Sequence, residues 1–89
     1  MRKLVPSNAF KRDMKKQSLE LFVSEEWLEI THSLSHGFAM KEKYHDHDLK
    51  GEWKGFRECH IQPDLLLIYA INNNKVELSR IGSHAALFG

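Results

Sequence analysis

Three consecutive segments near the C-terminus constrain the fold of this chain more than any other feature. The middle segment, LLLIYAI (residues 65–71), is continuously apolar, as expected of a strand that is covered on both faces. The flanking segments FRECHI (56–61) and VELSRIG (76–82) alternate between apolar and polar residues, which is typical of strands with one buried face. Because the connections QPD and NNNK are rich in turn-forming residues, we predict two successive β-hairpins.

The N-terminal half is predicted to contain one short strand and two helices. The strand is KLV (3–5), and Ser7 or Asn8 can cap a first helix that extends to about residue 18. Ser24 can cap a second helix, and Gly37 suits its C-terminal end. Apolar residues recur in the second helix every three or four positions, at Trp27, Ile30, Leu34 and Phe38. Residues 41–54 have no such period and are predicted to form a loop.

These elements predict one α+β domain spanning residues 1–89. Its two helices pack on one face of a mainly antiparallel four-stranded sheet, in the order β-α-α-β-β-β. No apolar segment is long enough to cross a membrane and no signal peptide begins the chain, so a membrane location is not expected. Cys59 is the only cysteine, which favours the reducing cytoplasm, and we interpret it as a small core residue.

Charge is unevenly distributed, although the net charge is only +1. The first 16 residues contain six basic side chains and a single acidic one, Asp13. Four of these basic residues fall in or near the first predicted helix: Lys11, Arg12, Lys15 and Lys16. Such segregation favours an oriented encounter with a polyanion, whereas a solvated helix face explains the charges equally well.

The two hairpins bring distant polar residues to one end of the sheet. With Asn73 and Asn74 as a two-residue turn, Asp64 lies opposite Ser83 and beside His84, while the first turn keeps His60 nearby. Two imidazoles can act as general base and general acid near neutral pH. Arg80, on the last strand, offers a permanent cation for a phosphate. This combination suits RNA cleavage through attack by a 2′-hydroxyl, although polar groups at strand ends are more often simply solvated.

The same segments resemble a known family. HDLKGEWKGFRECHIQPDLLLIY (47–69) and SRIGSHAALFG (79–89) are similar to the YafQ branch of the RelE/ParE toxin superfamily. The shared motifs occur in order, as DH-x-L-x-G, W-K-x-[FY]-R-x-x-H-I-x-P-D, L-L-I-Y and R-x-G-[ST]-H-x-x-L-F. The resemblance implies a toxin of a type II toxin–antitoxin system, an endoribonuclease that cuts messenger RNA in the ribosomal A site. It also implies a short C-terminal helix.

The resemblance assigns roles to individual residues. It implies that His84 is the general acid and that the other catalytic residues are His47, His60 and Asp64. Arg80 corresponds to a cation at the scissile phosphate and Phe88 to an aromatic that holds a base, and Lys54 and Arg57 are further expected RNA contacts. Leu65 stands where relatives often have Trp, which leaves a stacking role at that position in doubt.

Partners follow from the same family. The expected partners are the ribosome, messenger RNA and a small dimerising antitoxin with a segment that orders on binding, and the toxin alone is expected to be a monomer. The four basic residues of the first helix are candidate ribosome contacts. Exposed Lys54, Arg57 and Arg80 beside apolar strand surface suit an acidic, partly apolar antitoxin segment.

Two other classes of function remain open at this stage. A toxin of the same fold can act without nuclease activity, by binding a target such as gyrase, but it should lack the set of His60, Asp64 and His84. A metal-dependent hydrolase is suggested by His45 and His47, yet no second spaced pair and no cysteine ligand supports it. We therefore expect no metal and no other cofactor.

Overall fold

A five-stranded mixed sheet forms the centre of the computed structural model, which describes residues 1–89. The strands are β1 (Lys3–Pro6), β2 (His47–Asp48), β3 (Arg57–Gln62), β4 (Leu65–Asn72) and β5 (Lys75–Gly82). The helices are α1 (Asn8–Met14), α2 (Glu25–His36) and α3 (His84–Phe88), with short 3₁₀ helices at Leu19–Val23, Glu42–Tyr44 and Gly51–Trp53. None of these helices is long and apolar enough to span a membrane.

The strand order is β1-β5-β4-β3-β2, with β1 parallel to β5 and the other pairs antiparallel. The prediction of a mainly antiparallel sheet with helices on one face is confirmed, but the number of strands is wrong. The fifth strand, β2, lies inside the segment predicted as loop, where His47 pairs with Glu58 and Asp48 with Arg57. Two residues are too few to show a period, so the sequence carries no pattern for this strand.

Both N-terminal helices begin where serine can cap them. The Ser7 and Ser24 hydroxyls accept hydrogen bonds from the backbone N–H groups of Phe10 and Trp27. Gly37 ends α2 with φ of +71°, a left-handed conformation that favours glycine. The first helix ends at Met14 rather than near residue 18, because a turn and the 3₁₀ helix Leu19–Val23 follow it.

The main core lies between these two helices and the sheet. It contains Phe10, Ile30 and Leu34 of the helices, packed with Cys59, Ile61, Leu67, Tyr69, Val76, Leu78 and Ile81 of the strands. Burial raises the pKa of the Cys59 thiol far above its usual value, which agrees with a packing role for this residue. Phe38 is 61 % exposed, contrary to the predicted stripe, because it follows the left-handed Gly37 and leaves the helix axis.

The opposite face of the sheet carries a smaller apolar cluster beneath α3. Leu66 and Ile68 of β4 are fully buried there against Leu87, with Leu49, Trp53 and Phe56 at the edge. Consequently β4 is covered on both faces, as its continuous apolar run predicts. The short C-terminal helix implied by the family resemblance is present as α3, and the Ser83 hydroxyl accepts a hydrogen bond from Ala86 N–H at its start.

A β-bulge sets the register between β4 and β5. Asn72 pairs with Lys75 as predicted, but Ile68 pairs with Arg80 and Tyr69 with Leu78, which leaves Ser79 as the extra residue. Beyond the bulge Leu66 therefore lies opposite Gly82 rather than Ile81. This change of register points the Ile81 side chain into the main core. It also places the backbone N–H of His84 within hydrogen-bonding distance of Asp64.

Candidate functional site

Strand β3 presents its polar side chains on two different faces. Cys59 and Ile61 face the main core, whereas Glu58 and His60 face the side that carries α3. His47 of β2 lies directly opposite Glu58 and therefore shares the α3 face. The alternation of one strand thus places two histidines and a carboxylate together, although they come from two different motifs.

His47, Glu58 and His60 form a compact group. Glu58 Oε1 lies 3.3 Å from Nε2 of His60 and 3.7 Å from Nε2 of His47. The Glu58 side chain is only 5 % exposed, whereas His47 is 50 % exposed and can contact a ligand. Nδ1 of His47 lies 2.7 Å from the carbonyl oxygen of His45. His47 is therefore held at Nδ1, while its Nε2 faces the Glu58 carboxylate.

His84 completes the histidine group from the start of α3. Its ring centroid lies 6.1 Å from that of His60 and 5.9 Å from that of Phe88. Its backbone N–H donates to Asp64 Oδ1 at 3.0 Å, and its Nδ1 lies 3.5 Å from the same oxygen. Asp64 therefore anchors the helix start and faces the imidazole. The structure thus brings together all four residues predicted as catalytic: His47, His60, Asp64 and His84.

Arg80 lies next to this group but is paired within the protein. Its Nε donates to Asp13 Oδ2 at 2.7 Å, and this hydrogen bond raises the pKa of the guanidinium. Burial opposes ionisation of Asp13, but hydrogen bonds from Arg80 and from the Ile81 backbone outweigh it and lower the pKa of the carboxyl. Arg80 and Asp64 line the same cleft of about 390 Å³, together with Lys16. Asp13 therefore orients the guanidinium beside the cleft.

Arg57 is not part of the histidine group. It lies on the opposite face of β3, where its Nη2 donates to Asp46 Oδ2 at 2.9 Å and its Nη1 contacts Asp48. The Tyr69 hydroxyl donates to Asp46 as well, and burial raises the pKa of this tyrosine above its usual value. This network joins the loop before β2 to β3 and β4, and it accounts for Arg57 without a ligand.

The other predicted contact residues occupy different parts of the surface. Phe88 is 41 % exposed and packs its ring edge against Trp53, with centroids 6.2 Å apart. Lys54 is exposed in the turn that leads into β3. The four basic residues Lys11, Arg12, Lys15 and Lys16 are all exposed at α1 and just beyond it. Lys16 reaches the cleft of Asp64 and Arg80, so this basic surface is continuous with the site.

Sequence reasoning missed Glu58 and His45 as members of the site. Glu58 occupies a polar position of an alternating strand, yet it is buried on the face of the sheet that also carries α3. His45 adopts a left-handed conformation (φ +50°), and its ring lies 5.6 Å from that of His60. His45 lines a cleft of about 620 Å³ that opens beside His60. The only signal was their nearness to the histidine motifs.

The fold of this chain is that of a known class of bacterial toxins, the toxins of type II toxin–antitoxin systems. The family model described as "Bacterial toxin of type II toxin-antitoxin system, YafQ" matches residues 2–89, and the chain belongs to this family. The predicted family is thus confirmed.

Curated relatives carry the same family name. A putative toxin YafQ of Haemophilus influenzae is 36% identical over 77 residues, which are 82% of this chain and 76% of that protein. The mRNA interferase toxin YafQ of Escherichia coli K12 is 50% identical over 46 residues. That alignment covers 52% of this chain and 50% of the relative, so the matched part of the chain spans about half the length of that protein.

Solved structures extend the similarity over the whole chain. YafQ from E. coli BL21(DE3) is 29% identical, with a TM-score of 0.83 and full coverage of both chains. The YafQ of an E. coli DinJ–YafQ complex is 31% identical, with a TM-score of 0.79 over both full chains. A copper-bound mutant toxin from Helicobacter pylori is 39% identical, with a TM-score of 0.89 over 99% of this chain and all of the other. In the present chain no three His, Cys, Asp or Glu side chains are arranged to hold a metal ion.

Proposed function

We propose that this chain is the toxin of a type II toxin–antitoxin pair and acts as an endoribonuclease on messenger RNA in the ribosomal A site. The observation that carries the proposal is the convergence of His47, His60 and His84 with Asp64 at one end of the sheet. Curated relatives named mRNA interferase toxins support the same activity. We take residues 1–89 as the toxin domain and the cytoplasm, where ribosomes translate, as its place of action.

The proposed reaction is an internal phosphoryl transfer. A histidine base removes the proton of a 2′-hydroxyl, whose oxygen then bonds to the adjacent phosphorus. The bond from phosphorus to the 5′-oxygen breaks, and His84 gives that oxygen a proton. The products are a 2′,3′-cyclic phosphate and a 5′-hydroxyl, so atoms and charges balance. Asp64 holds His84 through the backbone and faces its imidazole, which keeps the acid at the leaving group.

Three further residues are proposed to hold the RNA. Arg80, oriented by Asp13, stabilises the negative charge of the phosphorane from the cleft it shares with Asp64. Phe88 stacks on a base, since its ring is partly exposed and braced by Trp53. Lys54, in its exposed turn, contacts the sugar-phosphate backbone of the RNA. We leave Arg57 out of this set because Asp46 and Asp48 already satisfy it on the other face.

Dependence on the ribosome follows from charge. A net charge of +1 is too small to hold free RNA tightly, whereas the basic surface of Lys11, Arg12, Lys15 and Lys16 can contact ribosomal RNA. Because Lys16 also lines the Arg80 cleft, a ribosome docked on α1 would present the message to the histidines.

A cleavage assay on translating ribosomes tests this function. We expect wild-type protein to cut a message at phased codon positions, mapped by primer extension, and to leave the same RNA intact without ribosomes. Replacing the four basic residues by Gln should lower the rate of message cleavage on ribosomes by at least about tenfold. This corresponds to a loss of about 1.4 kcal/mol in the free energy of binding to the ribosome. A control replaces Lys3, Lys41 and Lys75 by Gln, because these lysines are exposed and line neither cleft beside the histidines. Rapid phased cleavage of naked RNA, or equal losses in both variants, contradicts the proposal.

A further inference from the structure

The two glutamines of the chain line one cleft at the end of the sheet. Gln17 follows α1, Gln62 ends β3, and both border the cleft of about 390 Å³ that also contains Asp64 and Arg80. Its volume lies within the range of about 300–1,000 Å³ that is typical of small-molecule sites. The proposed reaction uses Asp64 and Arg80 but neither glutamine. We call this space the glutamine cleft.

Both glutamine side chains are free to bind a ligand. Gln17 is half-buried and Gln62 is exposed, and neither carboxamide hydrogen-bonds to another group of the chain. Their polar atoms remain open to solvent, since no buried side-chain nitrogen or oxygen lacks a partner. A carboxamide presents a donor and an acceptor side by side, which matches the hydrogen-bonding edge of an unpaired RNA base. Two such groups in one cleft are therefore suited to reading a base.

The charged groups of the glutamine cleft leave one cation unpaired. Asp13 is paired with Arg80 at 2.7 Å, and Asp64 accepts the backbone N–H of His84 at 3.0 Å. Lys16 lines the same cleft, is exposed and forms no ion pair. An ammonium without a carboxylate partner is free to bind a phosphate of the message.

Two apolar side chains lie in the same cleft. Leu65, at the start of β4, is half-buried and packs against the main core, and Ala86 is exposed in α3. Both line the cleft beside the amides. The face of a nucleobase packs on apolar surface while its edge forms hydrogen bonds, so the lining suits both parts of a base.

The larger cleft beside His60 is less suited to RNA. It contains Glu26, which forms no ion pair, and its one lysine, Lys43, lies 3.8 Å from the carboxylate of Glu29. An unpaired carboxylate opposes the approach of a polyanion. Charge therefore favours the glutamine cleft as the place where the message binds.

We propose that the glutamine cleft holds the message nucleotide next to the scissile phosphate, and that Gln17 and Gln62 read its base and so determine the codon preference. This inference rests on the proposed function. Lys16 binds a phosphate and favours every base equally, whereas the two amides favour the base whose edge they match. Because Asp64 and Arg80 line the same cleft, the bound nucleotide lies beside the groups proposed to cut the chain.

The first test measures codon preference. Messages that differ only in the nucleotides around the cut site are compared by their cleavage rates on ribosomes, for the wild type, Gln17→Ala, Gln62→Ala and the double variant. We expect the double variant to lower the ratio between the fastest and the slowest message at least about tenfold, since a bidentate amide–base pair discriminates by that much. The control Asn74→Ala removes an exposed amide from the turn between β4 and β5 and should keep the wild-type ratio.

The second test needs no cleavage. The free protein is titrated with the 3′-monophosphates of adenosine, guanosine, cytidine and uridine, none of which contains the bond that the proposed reaction breaks. NMR follows the side-chain amide signals of Gln17 and Gln62, which we expect to move most with one of the four nucleotides. Lys16→Gln should weaken the binding of all four by a similar factor, whereas Gln17→Ala and Gln62→Ala should remove the difference among them.

An unchanged ratio of cleavage rates in the double variant overturns the inference, as does a wild-type protein that cuts all codons equally. Failure of all four nucleotides to move either glutamine signal overturns it as well. A wild-type protein that cuts no message contradicts the proposed function alone, because the titration still shows whether the glutamine cleft binds a nucleotide. If Gln17→Ala does not fold, Gln17→Met replaces it, since this change keeps the side-chain length and removes the amide.

Discussion

His84 shows how a single residue can be fixed at its backbone and free at its side chain. Its N–H is bound by Asp64 at the first turn of α3, while the imidazole remains 58 % exposed. The backbone contact therefore places the ring beside the site without enclosing it, as the proposed role of proton donor requires. Phe88, one turn later, contacts the same ring and limits its movement.

We predict that His84→Ala abolishes growth arrest on expression and lowers the cleavage rate by about a hundredfold to ten-thousandfold, the usual loss for one general acid. The fold should persist, since the anchoring hydrogen bond comes from the backbone. The measurement is cleavage on ribosomes beside a circular dichroism spectrum. His32→Ala, at an exposed histidine of α2, is the control, and a His84→Ala protein that still arrests growth at equal expression refutes the assignment.

At this scale the sequence predicted which residues meet but not what surrounds them. His60, Asp64 and His84 could be grouped because two hairpins fix which strand ends are adjacent. The sequence could not show that Arg57 lies away from the site and Arg80 beside it. Arg57 pairs with Asp46 and Arg80 with Asp13, and neither partner is adjacent to its arginine in the chain. Glu58 was overlooked because alternation tells which face of the strand a residue occupies, not whether that face is buried.

Among the elements, α1 and β5 are linked by one carboxylate. Asp13, at the end of α1, accepts hydrogen bonds from the Arg80 side chain and, at 3.1 Å, from the Ile81 backbone N–H. Ile81 follows the bulge at Ser79, where the ladder of β5 changes register. Asp13 thus satisfies an N–H next to that irregularity and orients Arg80 with the same oxygen.

We predict that Asp13→Asn destabilises the protein by about 1–3 kcal/mol at neutral pH, because it weakens hydrogen bonds that involve charged groups. Since the pKa of Asp13 is lower in the folded protein than in the unfolded chain, its contribution is present above about pH 4 and is lost as pH falls through the folded pKa. Urea unfolding of both proteins at pH 7 and pH 3 should therefore show a difference that shrinks in acid. A difference that grows in acid, or none at pH 7, contradicts this role.

Element boundaries were predictable where capping chemistry is local. Ser7, Ser24 and Gly37 mark helix ends by themselves, and the Asn73-Asn74 turn fixes its hairpin. The strand β2 and the bulge at Ser79 were not predictable, because each depends on a partner strand rather than on its own residues. The parallel direction of β1 was not predictable either, because the residues KLV do not indicate whether their strand runs parallel or antiparallel to its neighbour.

Over the whole molecule, the proposed function requires control by another chain. The solved complexes of DinJ with YafQ support a cognate antitoxin for this member of the family. Lys16 lines the cleft of Asp64 and Arg80, and Lys11, Arg12, Lys15 and Lys54 are exposed, so an acidic segment that orders on binding is a suitable inhibitor. Free of its antitoxin, the toxin is proposed to be a monomer.

We predict that co-expression with the small reading frame beside the toxin yields a stable complex through a tag on either chain. The complex should be a heterotetramer, because antitoxin dimerisation joins two toxins, and it should not cleave messages. Light scattering and the ribosome assay provide the measurements, with an antitoxin from an unrelated pair as control. A toxin that stays monomeric and active beside its neighbour would rule out this partner.

The parallel pairing of β1 with β5 has a consequence for the timing of toxicity. Lys3 pairs with Lys75 and Pro6 with Leu78, so the first strand made by the ribosome waits for the last strand before it enters the sheet. Contacts so distant in sequence form late in folding. The same late strand carries Arg80 and leads into His84, so the site is incomplete while the nascent chain is still being translated. Under the proposed function, the nascent chain is therefore not expected to cleave the message from which it is made, which gives an antitoxin time to reach it.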